Sequence, residues 1–156
     1  MVALAVGVAF TASTRPAASG QQSTAASTAA LARSADTIVL GSCDAGVSSW
    51  SDDSRVIVTR HLCHVEQAFK GQPSDTLTVQ VLGGRVGDIE MGSSASISLS
   101  PGADVVLLLR RSQFGSYHVV AGGADGVLSV SAAPQRTVRG MSLSDFAHWV
   151  AAEAAQ

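Results

Sequence analysis

Apolar and polar positions divide the chain into stretches of different period. Residues 1–10, MVALAVGVAF, are apolar without a break. The run is shorter than the ~20 residues that span a bilayer as a helix. Small residues follow it, so it fits the apolar region of a secretory leader. No Lys or Arg precedes Arg15, so either the true start lies further upstream or the signal is a weak one; a buried apolar segment and a retained anchor are the alternatives to export. Residues 1–20 are read as leader and 21–27 as a Ser/Thr/Ala-rich linker. Residues 28–156 are read as one domain, with the mature chain starting between Ser19 and Ala32. Residues 27–36, STAALARSAD, suit a short helix.

From Thr37 the pattern becomes that of strands. Residues 37–41 are a short branched apolar run, which residues 47–50 continue. Ser51, Asp52, Asp53 and Ser54 form a polar turn. Residues 55–69 read as one long strand whose apolar phase changes, because Val56 and Val58 share one face while Cys63, Val65 and Phe69 share the other. A bulge or bend near Arg60 and His61 would reconcile the two phases. Residues 76–81 alternate cleanly, with Leu77, Val79 and Val81 on one face. Ile97 and Leu99 between serines suggest another alternating strand, after a glycine loop at 83–87. Residues 105–109 are apolar throughout, the pattern of a strand covered on both faces. Residues 117–120, 126–130 and 137–139 are shorter strands, with Asp125-Gly126 read as hairpin chemistry. The last stretch returns to helical period. Ser142 is an N-cap three residues before Asp145, and Leu143, Phe146, Ala147 and Val150 mark one face of a helix over 142–154.

The predicted fold is mainly β: an OB-like small barrel with extra hairpins, flanked by short N- and C-terminal helices. Closure removes the exposed edges that about seven short strands would otherwise leave. A β-sandwich is the alternative.

Composition narrows the function classes. Lys and Arg number only 10 and are scattered, and the net charge is -2, so a nucleic-acid partner is not expected. Aromatic residues are 4% of the chain, so stacking platforms for bases or sugars are not expected. No stable membrane anchor is expected once the leader is cleaved. The two cysteines, Cys43 and Cys63, are a disulfide candidate in an extracytoplasmic protein, whether periplasmic or secreted. If 51–54 is a hairpin turn, Trp50 pairs with Arg55 and Cys43 falls opposite Leu62. A single bulge then brings Cys43 opposite Cys63, within the ~4.5–5.5 Å of facing strand residues.

The order of residues also resembles a family. Ala35-Asp36 leading into residues 37–41, Trp50, Val58-Thr59 and the string VEQAFKG at 65–71 are similar to an uncharacterised family of secreted bacterial proteins. The likeness continues through GGRVG at 83–87, PGADVVLLL at 101–109, YHVV at 117–120 and Gly126-Val127, covering about residues 28–150. In that family the module stands alone or precedes a matrixin-like metalloprotease. The opening strands and the VE-x-x-x-KG ending are also similar to the OB-fold domain of tissue inhibitors of metalloproteinases and to netrin-type modules. The resemblance implies a secreted binding or interaction module with a protein partner, such as a secreted protease. Those inhibitors bind the target's zinc through an N-terminal Cys. No Cys stands near the expected mature N-terminus, so that mechanism is not implied for this chain.

Candidate chemistry is sparse. His61 and Cys63 share a strand face while His64 points away, so two ligands converge where zinc needs three or four. A metal-binding protein using His61, Cys63 and His118 is therefore an alternative that requires reduced cysteines. No G-x-S-x-G and no complete P-loop occurs, and Asp52 with Asp53 offers too few oxygens for calcium. The expectation is a protein that is not an enzyme and takes no cofactor. Its candidate binding surface comprises Trp50, Asp52, Asp53, Arg85 and Tyr117. A structural envelope protein, or a domain remnant of a larger protease, is the remaining alternative.

Overall fold

The computed structural model describes residues 20–92, 97–132 and 134–156, with side chains from Ser27 onward. The expected leader lies outside the described residues. Helix α1 (Gly20–Ser34) leads into strand β1 (Thr37–Cys43). Then come β2 (Val47–Trp50), β3 (Ile57–Lys70), β4 (Thr76–Leu82) and the small hairpin β5 (Gly84–Val86) and β6 (Ile89–Met91). β7 (Asp104–Arg111) and β8 (His118–Val120) follow, and a 3-10 turn over Gly123–Gly126 leads to β9 (Val127–Ser131). β10 (Thr137–Val138), β11 (Met141–Ser142) and helix α2 (Leu143–Ala154) complete the chain.

Five of these strands close a barrel. β1 pairs β3, β3 pairs β4, β7 pairs β8 and β7 returns to β1, all antiparallel. β4 and β8 pair in parallel and complete the ring. The order is that of an OB-type Greek-key barrel. β1 and β7 explain why their sequences read as unbroken apolar runs. Val39, Leu107 and Leu109 point into the barrel with Val79, Val81 and Val120. Ile38, Leu40, Val106 and Leu108 point outward onto Ala32 of α1, Ala35 just after it, and Phe146 and Val150 of α2. Both faces are thus dry, as expected for residues 105–109.

The helices are fixed at their ends. Ser142 accepts a hydrogen bond from the Asp145 amide at 3.1 Å, the expected N-cap. Lys70 donates to the carbonyls of Ala32 and Arg33, both at 2.9 Å, satisfying the C-terminus of α1. Arg33 pairs with Glu153 across the helices at 2.5 Å. Phe69 meets Phe146 edge to face, with ring centroids 5.0 Å apart.

Several expectations need correction. α1 begins at Gly20, so it occupies the expected linker 21–27, whose Ala, Gln and Ser residues tolerate a helix. Residues 47–50 form a separate strand that pairs back onto β3 and do not extend β1. The turn spans residues 51–56, because Trp50 faces Ile57 and not Arg55. β3 carries its irregularities opposite the Ile38/Val39 and Leu40/Gly41 steps, at Phe69 and Glu66, and runs in register with β2 and β4 past Arg60 and His61. These bulges turn Phe69 out of the barrel and onto Phe146. They also crowd Gly41, where a Cβ would sit 2.0 Å from the His64 carbonyl oxygen. Ile97 and Leu99 form no strand. They lie in an irregular segment that packs against the barrel core. The loop at 83–87 contributes to a hairpin, and Asp125-Gly126 sits in a 3-10 turn between β8 and β9, which do not pair.

Cys43 and Cys63 face each other on β1 and β3 and are joined by a disulfide. From Val47 opposite Arg60 to Cys43 opposite Cys63, one strand advances four residues and the other three. The extra residue therefore lies at 44–46, in the segment facing β3 and not in β3 near Arg60 and His61; because the turn is also two residues longer than expected, the two differences offset and Cys43 still meets Cys63.

Candidate functional site

The outer surface of β3 and β4 is not covered by the helices. Arg60 and Gln80 stand directly opposite each other there. Arg60 Nε donates to Gln80 Oε1 at 2.9 Å, which ties the guanidinium to the neighbouring strand. The same guanidinium lies 3.7 Å from Asp52 and 5.9 Å from the centre of the Tyr117 ring. One arginine thus joins the sheet, the 51–56 turn and the loop between β7 and β8.

That loop reaches the site because β8 runs parallel to β4, placing Val119 beside Gln80. It is closed by the Ser112 amide donating to the Tyr117 carbonyl at 2.9 Å, and by the Phe114 amide donating to Ser112 Oγ at 3.0 Å. Phe114 at its tip is 87% exposed. A large aromatic ring in that position has given up burial worth roughly 1.5–3 kcal/mol.

The opposite wall is the 51–56 turn. Ser51 Oγ donates to Asp53 Oδ1 at 2.6 Å and accepts from the Val56 amide at 3.2 Å. The Arg55 amide donates to the same carboxylate at 3.3 Å. The Ser51 hydroxyl and the Arg55 amide hold the Asp53 carboxyl below its ordinary range. Arg55 Nε stands 3.8 Å from Asp53, so each carboxylate of the turn has its own arginine.

Between the walls lies a cavity of about 370 Å³ lined by Ser51, Asp52, Asp53, Arg60, Gln80, Phe114 and Tyr117. The size falls within the ~300–1,000 Å³ of small-ligand sites. Along β3 the same outward face continues to Leu62, which is 45% exposed. Val47, 71% exposed, stands opposite Arg60 on β2. Two exposed apolar side chains thus lie on the same sheet face as Arg60.

Of the residues expected at a binding surface, Asp52, Asp53 and Tyr117 come together here. Trp50 ends β2 opposite Ile57 and does not line the cavity. Arg85 lies on β5, where its Nε donates to the Gly87 carbonyl of its own hairpin at 3.1 Å, and it too is outside the cavity. Sequence reading missed Arg60, Gln80, Ser51 and Phe114. An exposed aromatic in the loop SQFGSY, between two strands, was the available signal.

The histidines are separated. His61 is buried inside the sheet and its Nδ1 donates to the Asp44 carbonyl at 3.0 Å. His64 faces outward against the Asp44 carboxylate at 3.2 Å. His118 is half-buried, and desolvation followed by the nearby Arg111 pushes its pKa down. Cys63 is bonded to Cys43 and supplies no thiolate, which removes one of the three ligands in the His61, Cys63 and His118 alternative. Among the described residues no group of three His, Cys, Asp or Glu side chains is placed to hold a metal ion. No helix among them is long and apolar enough to cross a membrane.

Barrel closure and strand order define the class: a closed five-stranded OB-type barrel, here with a cavity on its outer wall. No protein-family model matches the chain, and no curated protein or solved structure matches it either.

Proposed function

We propose that the protein is a non-catalytic binding module that works outside the cytoplasm and takes its ligand in the groove between the 51–56 turn and the 112–117 loop. The observation that carries this reading is the convergence of two loops on the outer face of β3 and β4. OB-type barrels receive extended ligands on the corresponding strands and loops. Rigid strands supply Arg60 and Gln80, while loops supply the variable groups, a division typical of recognition sites. The disulfide and the apolar N-terminal run support an extracytoplasmic location.

The test is an amide-resolved NMR titration with short peptides, oligosaccharides and single-stranded oligonucleotides. A binding module shifts the amides of residues 51–56, 60, 80 and 112–117 with one of these classes. Shifts confined elsewhere, or none with any class, overturn the reading. A secreted protease as partner rests on the family resemblance alone, and a peptide that shifts these amides would be its signature. Fractionation with N-terminal sequencing tests the compartment. An intact Met1 in a cytosolic fraction would overturn it.

A further inference from the structure

Resting on the binding-module reading, we infer that the groove takes a neutral oligosaccharide, with a pyranose ring laid on Phe114 and Tyr117 and its hydroxyls held by Arg60, Gln80 and Asp52.

The walls fit that chemistry. A pyranose presents a face of C–H groups and a rim of hydroxyls. Phe114 and Tyr117 offer ring surfaces from one short loop, and the Phe114 ring has no packing of its own to lose. Arg60, Gln80 and Asp52 each end in a planar group with paired donors or acceptors. Such pairs match neighbouring hydroxyls, each of which donates one bond and accepts others. Tyr117 contributes both a ring and a hydroxyl.

Charge argues against the competitors. Asp52 lies 3.7 Å from Arg60 and Asp53 lies 3.8 Å from Arg55, which stands outside the cavity, so each carboxylate already faces an arginine and the lining carries no net positive charge. Single-stranded nucleic acid binds in grooves of net positive charge, which releases counterions. Here two carboxylates rim the cavity. A lysine- or arginine-rich peptide would have to displace the arginines already facing those carboxylates. An uncharged polyhydroxylated ligand needs no net charge and can bridge both members of each pair. Leu62 and Val47 are exposed on the same sheet face as Arg60, a surface that neighbouring sugar units can cover and a free monosaccharide would leave unused.

The experiment is calorimetric titration of the mature, disulfide-bonded protein. The probes are short glucans of α and β linkage, N-acetylglucosamine oligomers, an oligouronate, oligothymidylate and a lysine-rich peptide. At least one neutral oligosaccharide should bind, with an affinity that hardly changes with salt. Phe114→Ala and Gln80→Ala should each weaken it about tenfold or more, or ~1.4 kcal/mol. Neither side chain is part of a core, so the melting temperature should stay within a few degrees of the parent, and this control separates lost contacts from lost fold. Binding of the peptide or of oligothymidylate at the groove amides, without any neutral sugar, would overturn the sugar assignment while the binding-module reading stands. Binding of the oligouronate alone would overturn it too. If nothing binds, both fall.

Discussion

The two outer faces of this barrel serve opposite ends. On the β1–β7 side the outward residues are Ile38, Leu40, Val106 and Leu108, and two helices cover them. On the β3–β4 side the outward residues include Arg60, Leu62, Thr78 and Gln80, and no helix lies over them. The covered face stores stability. The open face holds polar groups in fixed positions because the barrel interior behind it is closed by Val79, Val81 and Leu107. Rigidity needed for recognition on one side thus comes from burial on the other two layers.

The largest break in this comparison comes from Phe146→Ala. Phe146 is fully buried between Phe69 and the barrel wall, so its loss should cost about 3–5 kcal/mol. Denaturant unfolding should show the loss while ligand affinity, measured where the variant is folded, stays as in the parent. A parallel fall in affinity would mean the two faces are not independent.

The disulfide spans the boundary between the faces, joining β1 to β3 over a separation of 20 residues. Replacing both Cys43 and Cys63 by Ala should remove about 3 kcal/mol, chiefly by freeing the unfolded chain. Thiol titration of the unfolded, non-reduced parent should find no free cysteine. Two titratable thiols would reject the bridge.

Phe114→Ala acts in the opposite sense to Phe146→Ala. A ring this exposed contributes little to the fold, so stability should stay within about 0.5 kcal/mol while groove binding weakens. A marked loss of stability would show that Phe114 serves packing.

The unequal legibility of the two faces follows from this difference. The covered face was readable because burial on both sides of a strand leaves an unbroken apolar run, as in residues 105–109. Clean alternation gave β4, and an N-cap gave α2. The pairing of Cys43 with Cys63 was reached by a route that the structure corrects: the turn is two residues longer and the extra residue stands at 44–46, opposite the strand expected to carry it, and the two differences offset. The separate bulges of β3 at Glu66 and Phe69 were not readable, because bulges depend on tertiary fit: Phe69 leaves the barrel wall to meet Phe146, on a helix far along the chain. Half of the site was equally hidden. Asp52 and Asp53 announce themselves as a turn, but Arg60 and Gln80 are ordinary polar residues until register sets them opposite each other. Phe114 becomes part of the site only because β8 runs parallel to β4. Arg85 looked equivalent from the sequence and is instead tied to its own hairpin.

The smallest expected effect lies in the titration of the open face's rim. Asp53 is fully exposed, so its depressed pKa comes first from the Ser51 hydroxyl and next from the Arg55 amide, and not from burial. A carboxyl whose folded pKa lies below its unfolded value contributes stability above the unfolded value. The contribution is lost as pH falls through the folded pKa. Solvent screening keeps the effect on global unfolding small. The local effect is sharper: protonation takes charge from the acceptor of two hydrogen bonds that shape the turn. Carboxyl NMR should therefore find Asp53 titrating below an ordinary aspartate, with the amides of Arg55 and Val56 shifting at the same midpoint. Ser51→Ala should raise that midpoint toward the ordinary range. Arg60→Ala should leave it nearly unchanged, since Arg60 faces Asp52. An ordinary midpoint in the parent, or a larger response to Arg60→Ala than to Ser51→Ala, would show that the turn is held by charge across the groove and not by its own hydrogen bonds.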